Sequence, residues 1–163
     1  MDPHQVEVSE SLLRIKRDAW VMELFRISQP DWVMLHFEST DDPLLPSIRV
    51  LLHKTEFRDL LSELDRCLEA VRMRGLVRLG ADGTFGNFRG TLSHGRSFGT
   101  LLNHENTGIL IIGYDLRFGQ HGVDLNVWPI HRRGIPNFLW PPEQASALLG
   151  RLREIRNRLF PDM

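Results

Sequence analysis

From Asp31 to Glu38, Val33, Leu35 and Phe37 alternate with Met34, His36 and Glu38. A period of two predicts a β-strand with one buried face. The run TDDPLLP (40–46) supplies a turn, after which Ile48, Val50 and Leu52 alternate again as the next strand. The period then lengthens: Phe57, Leu60, Leu61, Leu64, Leu68 and Val71 fall on one stripe of a helix. Thr55 is its expected N-cap, Arg72 and Arg74 suit the negative end of its dipole, and Gly75 is its expected left-handed terminus. Upstream, LLRIKRDAWVMELFRI (12–27) fits either two short strands or one helix, and strands are preferred.

Beyond this helix the texture becomes glycine-punctuated β-structure. ADGT (81–84) signals a hairpin, with strands expected around Phe88–Leu92, Gly95–Leu102, Ile109–Leu116 and Val123–Trp128. A second helix closes the chain, with Pro141 and Pro142 in its first turn, a stripe of Leu148, Leu152, Ile155 and Leu159, and Pro161 as its stop. The halves echo each other at an offset of about ninety positions: Val33-Met-Leu-His-Phe37 matches Val123-Asp-Leu-Asn-Val127, and Leu60, Leu61 and Leu64 match Leu148, Leu149 and Leu152. The predicted fold class is α+β, two successive antiparallel β groups each closed by an amphipathic helix, (ββββα)2-like. One domain over residues 1–163 is expected, with two structural repeats at 11–75 and 84–160.

Length and composition agree, since 163 residues, 42% of them hydrophobic, can bury a sizeable core. The net charge of −1 excludes a simple polycation, so any nucleic-acid contact must come from a local patch. Up to Phe85 there are 11 basic and 15 acidic residues (−4), and beyond it 9 and 6 (+3). His94, His104, His121 and His131 also lie in the second half, whose charge rises below neutral pH. Cys67 is the only cysteine, which excludes an internal disulfide and points to a reducing compartment. The amino terminus MDPHQVEVSE has no apolar core, and the longest wholly apolar run is ILII (109–112). No secretory signal or membrane contact is expected, and a cytoplasmic location is.

Phosphate-binding loops, dinucleotide fingerprints, zincin motifs and nucleophile elbows are missing, and GADGTFGNFRG (80–90) is better explained as turn chemistry. The densest polar set comprises His94, Arg96, His104, Glu105, Asp115, Arg117, His121, Asp124, His131, Arg132 and Arg133. It could supply a general base and a cationic clamp, but no pair has diagnostic spacing, and such residues commonly occupy the solvated faces of β-proteins. The histidines are spaced too irregularly for a metal motif. No catalytic residue, metal or cofactor is therefore assigned. Cys67 falls near the apolar helix stripe, where a thiol behaves as a small hydrophobe. Trp128 alternates with Val123, Leu125 and Val127 and precedes the basic run Ile130-His-Arg-Arg133. That arrangement suits stacking of a base beside a phosphate contact, although packing of the indole under a helix explains the same pattern.

Three short segments carry a resemblance. VDL (123–125) followed by Trp128 resembles the VDI…W strand of the positive-cofactor-four coactivators, and PEQASAL (142–148) resembles the PEQ-x-S-x-L start of their long helix. TEFRDLL (55–61) is similar to the EFRD-x-L helix start of Pur repeats. Together they resemble the superfamily of single-stranded nucleic-acid-binding regulators that also includes the plant Whirly proteins. The resemblance implies a (ββββα)2 architecture and binding of single strands. The coactivators' basic glycine-containing loop is represented here by HRRGIPN (131–137), and the Whirly DNA-contacting motif is not visible.

The leading expectation is a non-enzymatic single-stranded DNA or RNA binder. In it Arg96, Arg117, Arg132 and Arg133 hold phosphates, with His131 beside them, while Phe98, Trp128 and Trp20 stack bases. The alternative is a protein-interaction module such as a bacterial immunity or inhibitor protein, in which Asp31, Glu38, Asp41 and Asp42 face a basic partner. A third reading is an enzyme built on the His94–His131 cluster. A homo-oligomer is compatible with all three.

Overall fold

A computed structural model describes residues 6–45, 47–78, 95–99, 107–116, 121–129 and 137–163, with the backbone alone for 74–78, 128, 129 and 137. The chain runs β1 (Val8–Arg17), β2 (Trp20–Ile27), β3 (Trp32–Ser39), β4 (Ile48–His53), α1 (Lys54–Arg78), β5 (Arg96–Phe98), β6 (Gly108–Asp115), β7 (Gly122–Pro129), β8 (Asn137–Trp140) and α2 (Pro142–Leu159). The strands form two four-stranded antiparallel sheets, ordered β1-β2-β3-β4 and β5-β6-β7-β8, each followed by a helix. This is the expected (ββββα)2 arrangement. The echo between Val33–Phe37 and Val123–Val127 aligns the third strand of each repeat, β3 with β7, and the matching leucines align α1 with α2.

The ambiguous segment 12–27 is two strands, joined by a tight turn in which Asp18 adopts φ 53°. Aspartate tolerates that left-handed conformation better than most residues. β2, β3 and β4 then pair without slippage, so Leu24 lies opposite Leu35 and Met22 opposite Phe37, while Val33, Leu35 and Phe37 face Leu52, Val50 and Ile48. All of these side chains are at most 6% exposed. Alternation predicted that buried face correctly.

Two helix boundaries differ from expectation. α1 begins at Lys54, and His53 supplies the capping contact, its Nδ1 accepting the Thr55 N–H at 3.3 Å. An imidazole nitrogen with a lone pair does here what a hydroxyl at Thr55 was expected to do. At the other end α1 passes through Gly75 to Arg78. A helical glycine costs only about 1 kcal/mol relative to alanine, which the neighbouring turns outweigh. The stripe itself is as predicted, with Phe57, Leu60, Leu61, Leu64, Leu68 and Val71 all buried. α2 starts at Pro142 behind Pro141, buries Ala145, Leu148, Leu149 and Leu152, and ends before Pro161. The expected turn at 81–84 and strand at 88–92 lie outside the described residues.

By internal contacts the described chain divides into two compact units. One comprises Met1–Arg58, Ser97–Leu110 and Asn126–Pro136, and the other Asp59–Arg96, Ile111–Leu125 and Asn137–Met163. Each draws on both sequence halves, so neither coincides with a repeat. In the second unit, Gly122 at the start of β7 sits against β8: a Cβ placed there would lie 2.5 Å from the Trp140 carbonyl oxygen. That neighbour is backbone and cannot rotate away. Gly122→Ala should therefore destabilise the protein by about 1–3 kcal/mol, measured by urea unfolding. An unchanged midpoint would show that the two strands separate at no cost.

Candidate binding surface on the first sheet

The face of the first sheet opposite Val33, Leu35 and Phe37 carries a mixed set of side chains. In-register partners on adjacent antiparallel strands project to the same side. The register places Arg14 of β1 opposite Glu23 of β2, Glu23 opposite His36 of β3, and His36 opposite Arg49 of β4. One polar row therefore crosses all four strands. A neighbouring row runs Lys16, Val21, Glu38, and the next runs Ser11, Phe25, Met34, Leu51. Register slips in β1 between Val8 and Glu10 and between Ser11 and Leu13 make this possible: Ser11 stands opposite Phe25 while Leu13 keeps its place opposite Leu24 on the buried face.

This face is divided by chemistry. At one end Ile27, Met34 and Leu51 form a buried apolar cluster, against which Val6, Phe25 and Trp32 pack while staying partly accessible. At the other end Arg14, Lys16, Arg49, Glu23 and Glu38 leave one net positive charge, with His36 among them. A pocket of about 290 Å³ lies at the junction, where Glu23, His36, Glu38 and Arg49 meet Phe25 and Met34. Glu23 accepts a hydrogen bond from the Ser11 hydroxyl and pairs loosely with Arg14, Nε to Oε1 at 3.9 Å. Arg14 is 65% exposed in that pair, so it contributes little stability and its charge stays available. The Nε of Arg49 is buried and has no hydrogen-bond partner among the described residues. The Phe25 ring meets the His36 ring edge-on, centroids 6.2 Å apart, and Trp32 meets His53 in the same way at 5.2 Å.

Burial holds the His36 imidazole below its ordinary range; Arg49 pushes in the same direction, while Glu38 and Glu23 oppose. The unfolded chain therefore binds this proton more readily than the folded one. The stability that the neutral ring contributes is present above about pH 6.5 and is lost as pH falls through the depressed folded value. His36→Gln should flatten the fall in unfolding free energy below pH 6.5, measured by urea titrations at successive pH values. An identical slope in the variant would assign the acid sensitivity to other groups.

The residues singled out from sequence fare differently. Phe98 is 3% exposed in β5 and belongs to the core, so its expected stacking role is corrected. Its three-residue strand gave no readable alternation. Trp20 is likewise buried at 9%, on the Met22 and Leu24 side of β2. Arg96, in β5, is half exposed and lies 3.8 Å from the Asp59 carboxylate. Trp128 is in β7, but its side chain, like Arg117, His131, Arg132 and Arg133, lies outside the described residues. Of the polar set, Asp115 is buried, Asp124 half-buried and His121 exposed. The residues of this face that sequence reading did not single out are Arg14, Lys16, Glu23, Phe25, Trp32 and Arg49. The signal available was His36 on the alternate positions of β3, together with the short turn before it that fixes the β2–β3 register.

In the second unit, Cys67 is buried as expected. Burial, followed by the nearby Glu63, pushes its thiol up to about 12. Glu63 is held below the usual carboxylate range by hydrogen bonds from Arg66. That arrangement keeps the thiol protonated and unreactive. Among the described residues no group of three histidine, cysteine, aspartate or glutamate side chains could hold a metal ion, and no helix is long and apolar enough to cross a membrane.

No protein-family model matches the sequence, and no curated protein matches it.

Proposed function

We propose that the chain is a non-enzymatic single-stranded nucleic-acid-binding protein that lays its ligand across the polar face of the first sheet. The observation carrying this reading is the convergence, on one face of four adjacent strands, of Arg14, Lys16 and Arg49 with the partly accessible aromatic rings of Phe25 and Trp32. Single strands are held by such combinations, cations tracking phosphates while rings stack bases without regard to sequence. The (ββββα)2 fold agrees with the architecture that the resemblance implies. Three cations contacting phosphates give a log–log salt slope of about −2 on single strands, a roughly 16-fold loss of affinity between 50 and 200 mM salt. Fluorescence anisotropy with a labelled oligonucleotide measures it. Affinity independent of salt would contradict the proposal.

A second reading has its own observation. Leu44 is 85% exposed in the turn after β3, where the Asp42 carboxylate accepts the Leu44 N–H at 2.9 Å and Asp41 lies alongside. An exposed leucine among carboxylates suits a basic, partly apolar protein partner. Under that reading Leu44→Asp abolishes capture of the partner and leaves oligonucleotide affinity unchanged.

A further inference from the structure

The pocket beside His36 has a composition more selective than a stacking platform needs. Its apolar part is formed by Phe25 and Met34 with Val6 and Val8, and its polar part by Glu23, Glu38, His36 and Arg49. The carboxylates only accept hydrogen bonds and the guanidinium only donates them. Donor and acceptor are neighbours here, since His36 lies between Glu23 and Arg49 in the cross-strand row and Glu38 follows two residues along the same face of β3. Arg49 lines the pocket, and its Nε is buried without a hydrogen-bond partner among the described residues. At about 290 Å³ the cavity stands at the small end of ligand pockets, suited to one planar group and not to an oligomer.

Resting on the nucleic-acid reading, we infer that this pocket receives a single unstacked base and favours bases that carry an exocyclic amino group over thymine and uracil. Cytosine and adenine each present an amino donor beside a ring-nitrogen acceptor on one edge. The amino group faces a carboxylate of Glu38 or Glu23, and the ring nitrogen faces the Arg49 guanidinium. Phe25 covers one face of the base, and Arg14 and Lys16 stand on β1 for the flanking phosphates. Thymine and uracil put a carbonyl oxygen where the amino group would be, and the single N3–H is the only donor on that edge, so they cannot supply the two hydrogens with which an amino group meets the paired carboxylates. A site built to pair a polar group rejects the analogue lacking it more strongly than it rejects a change of size.

The test uses the full chain and fluorescence anisotropy with a thymidine strand of about eleven nucleotides, within the range of single-strand site sizes. It is compared with the same strand whose central base is cytosine or adenine. The wild type should bind the substituted strands at least about fivefold more tightly than all-thymidine, equivalent to one good polar contact. Glu38→Gln, whose amide can also donate to a carbonyl, should reduce that ratio towards one while leaving the salt slope in place. Free cytidine and adenosine monophosphates, added as competitors at the strand's concentration, should displace little of it; displacement at parity would move the site to free nucleotides and overturn the strand-bound subsite. Equal or tighter binding of all-thymidine by the wild type would overturn the base preference while the nucleic-acid reading stands. Absence of binding to every strand at low salt would remove both.

Discussion

Replacing Phe25 by leucine should weaken binding of a single-stranded oligonucleotide by about five- to a hundredfold, because one base–ring stack contributes on the order of 1–3 kcal/mol. Leucine is the informative replacement. Phe25 packs against the Ile27, Met34 and Leu51 cluster, and an aliphatic side chain of similar volume preserves most of that packing while removing the π-face. The melting temperature should therefore move little as affinity falls. Calorimetric melting and anisotropy titration on the same preparation separate the two quantities. Unchanged affinity in a folded Phe25→Leu protein would take the stacking role from this residue.

Phe37→Ala should have the opposite profile. The Phe37 ring is 0% exposed on the other side of the same sheet, opposite Met22 on β2 and Ile48 on β4. Its truncation removes the transfer free energy of the ring and leaves a cavity, together about 3–5 kcal/mol. Domains are typically stable by only 5–15 kcal/mol, so the loss is a large fraction of the whole. At roughly 2–4 °C per kcal/mol for a chain of this size, the midpoint should fall by about 6–20 °C. A fall below about 2 °C would mean that the buried face collapses around the gap. The two variants thus separate the two faces of one sheet, Phe37→Ala reading folding and Phe25→Leu reading the proposed binding.

The architecture was legible in the sequence because its determinants are local. The alternation of Val33, Leu35 and Phe37, the stripe from Phe57 to Val71 and the prolines around α2 each operate within a few residues of themselves. The polar face proposed for binding was not legible because it is assembled across strands. Arg14, Glu23, His36 and Arg49 are scattered over 36 positions of sequence, and only the register brings them into one row. That register depends on the bulges in β1, where an extra residue leaves no distinctive mark in composition. In the second half, Phe98 belongs to the core. Burial of a residue in a three-residue strand is settled by its neighbours in space, which one-dimensional periodicity cannot supply. The capping of α1 by His53 is a similar case, since an imidazole acceptor stands outside the usual preference for hydroxyls and carboxylates.

On the proposed reading, the nucleic-acid strand lies over the polar face of β1 to β4. Ultraviolet cross-linking of a 5-iodocytidine-substituted single strand, followed by peptide mass spectrometry, tests it. Adducts are expected on the peptides containing Phe25 and Trp32, reduced by Arg49→Ala. Adducts confined to Trp128 and the His131–Arg133 segment, with none on the first sheet, would contradict it.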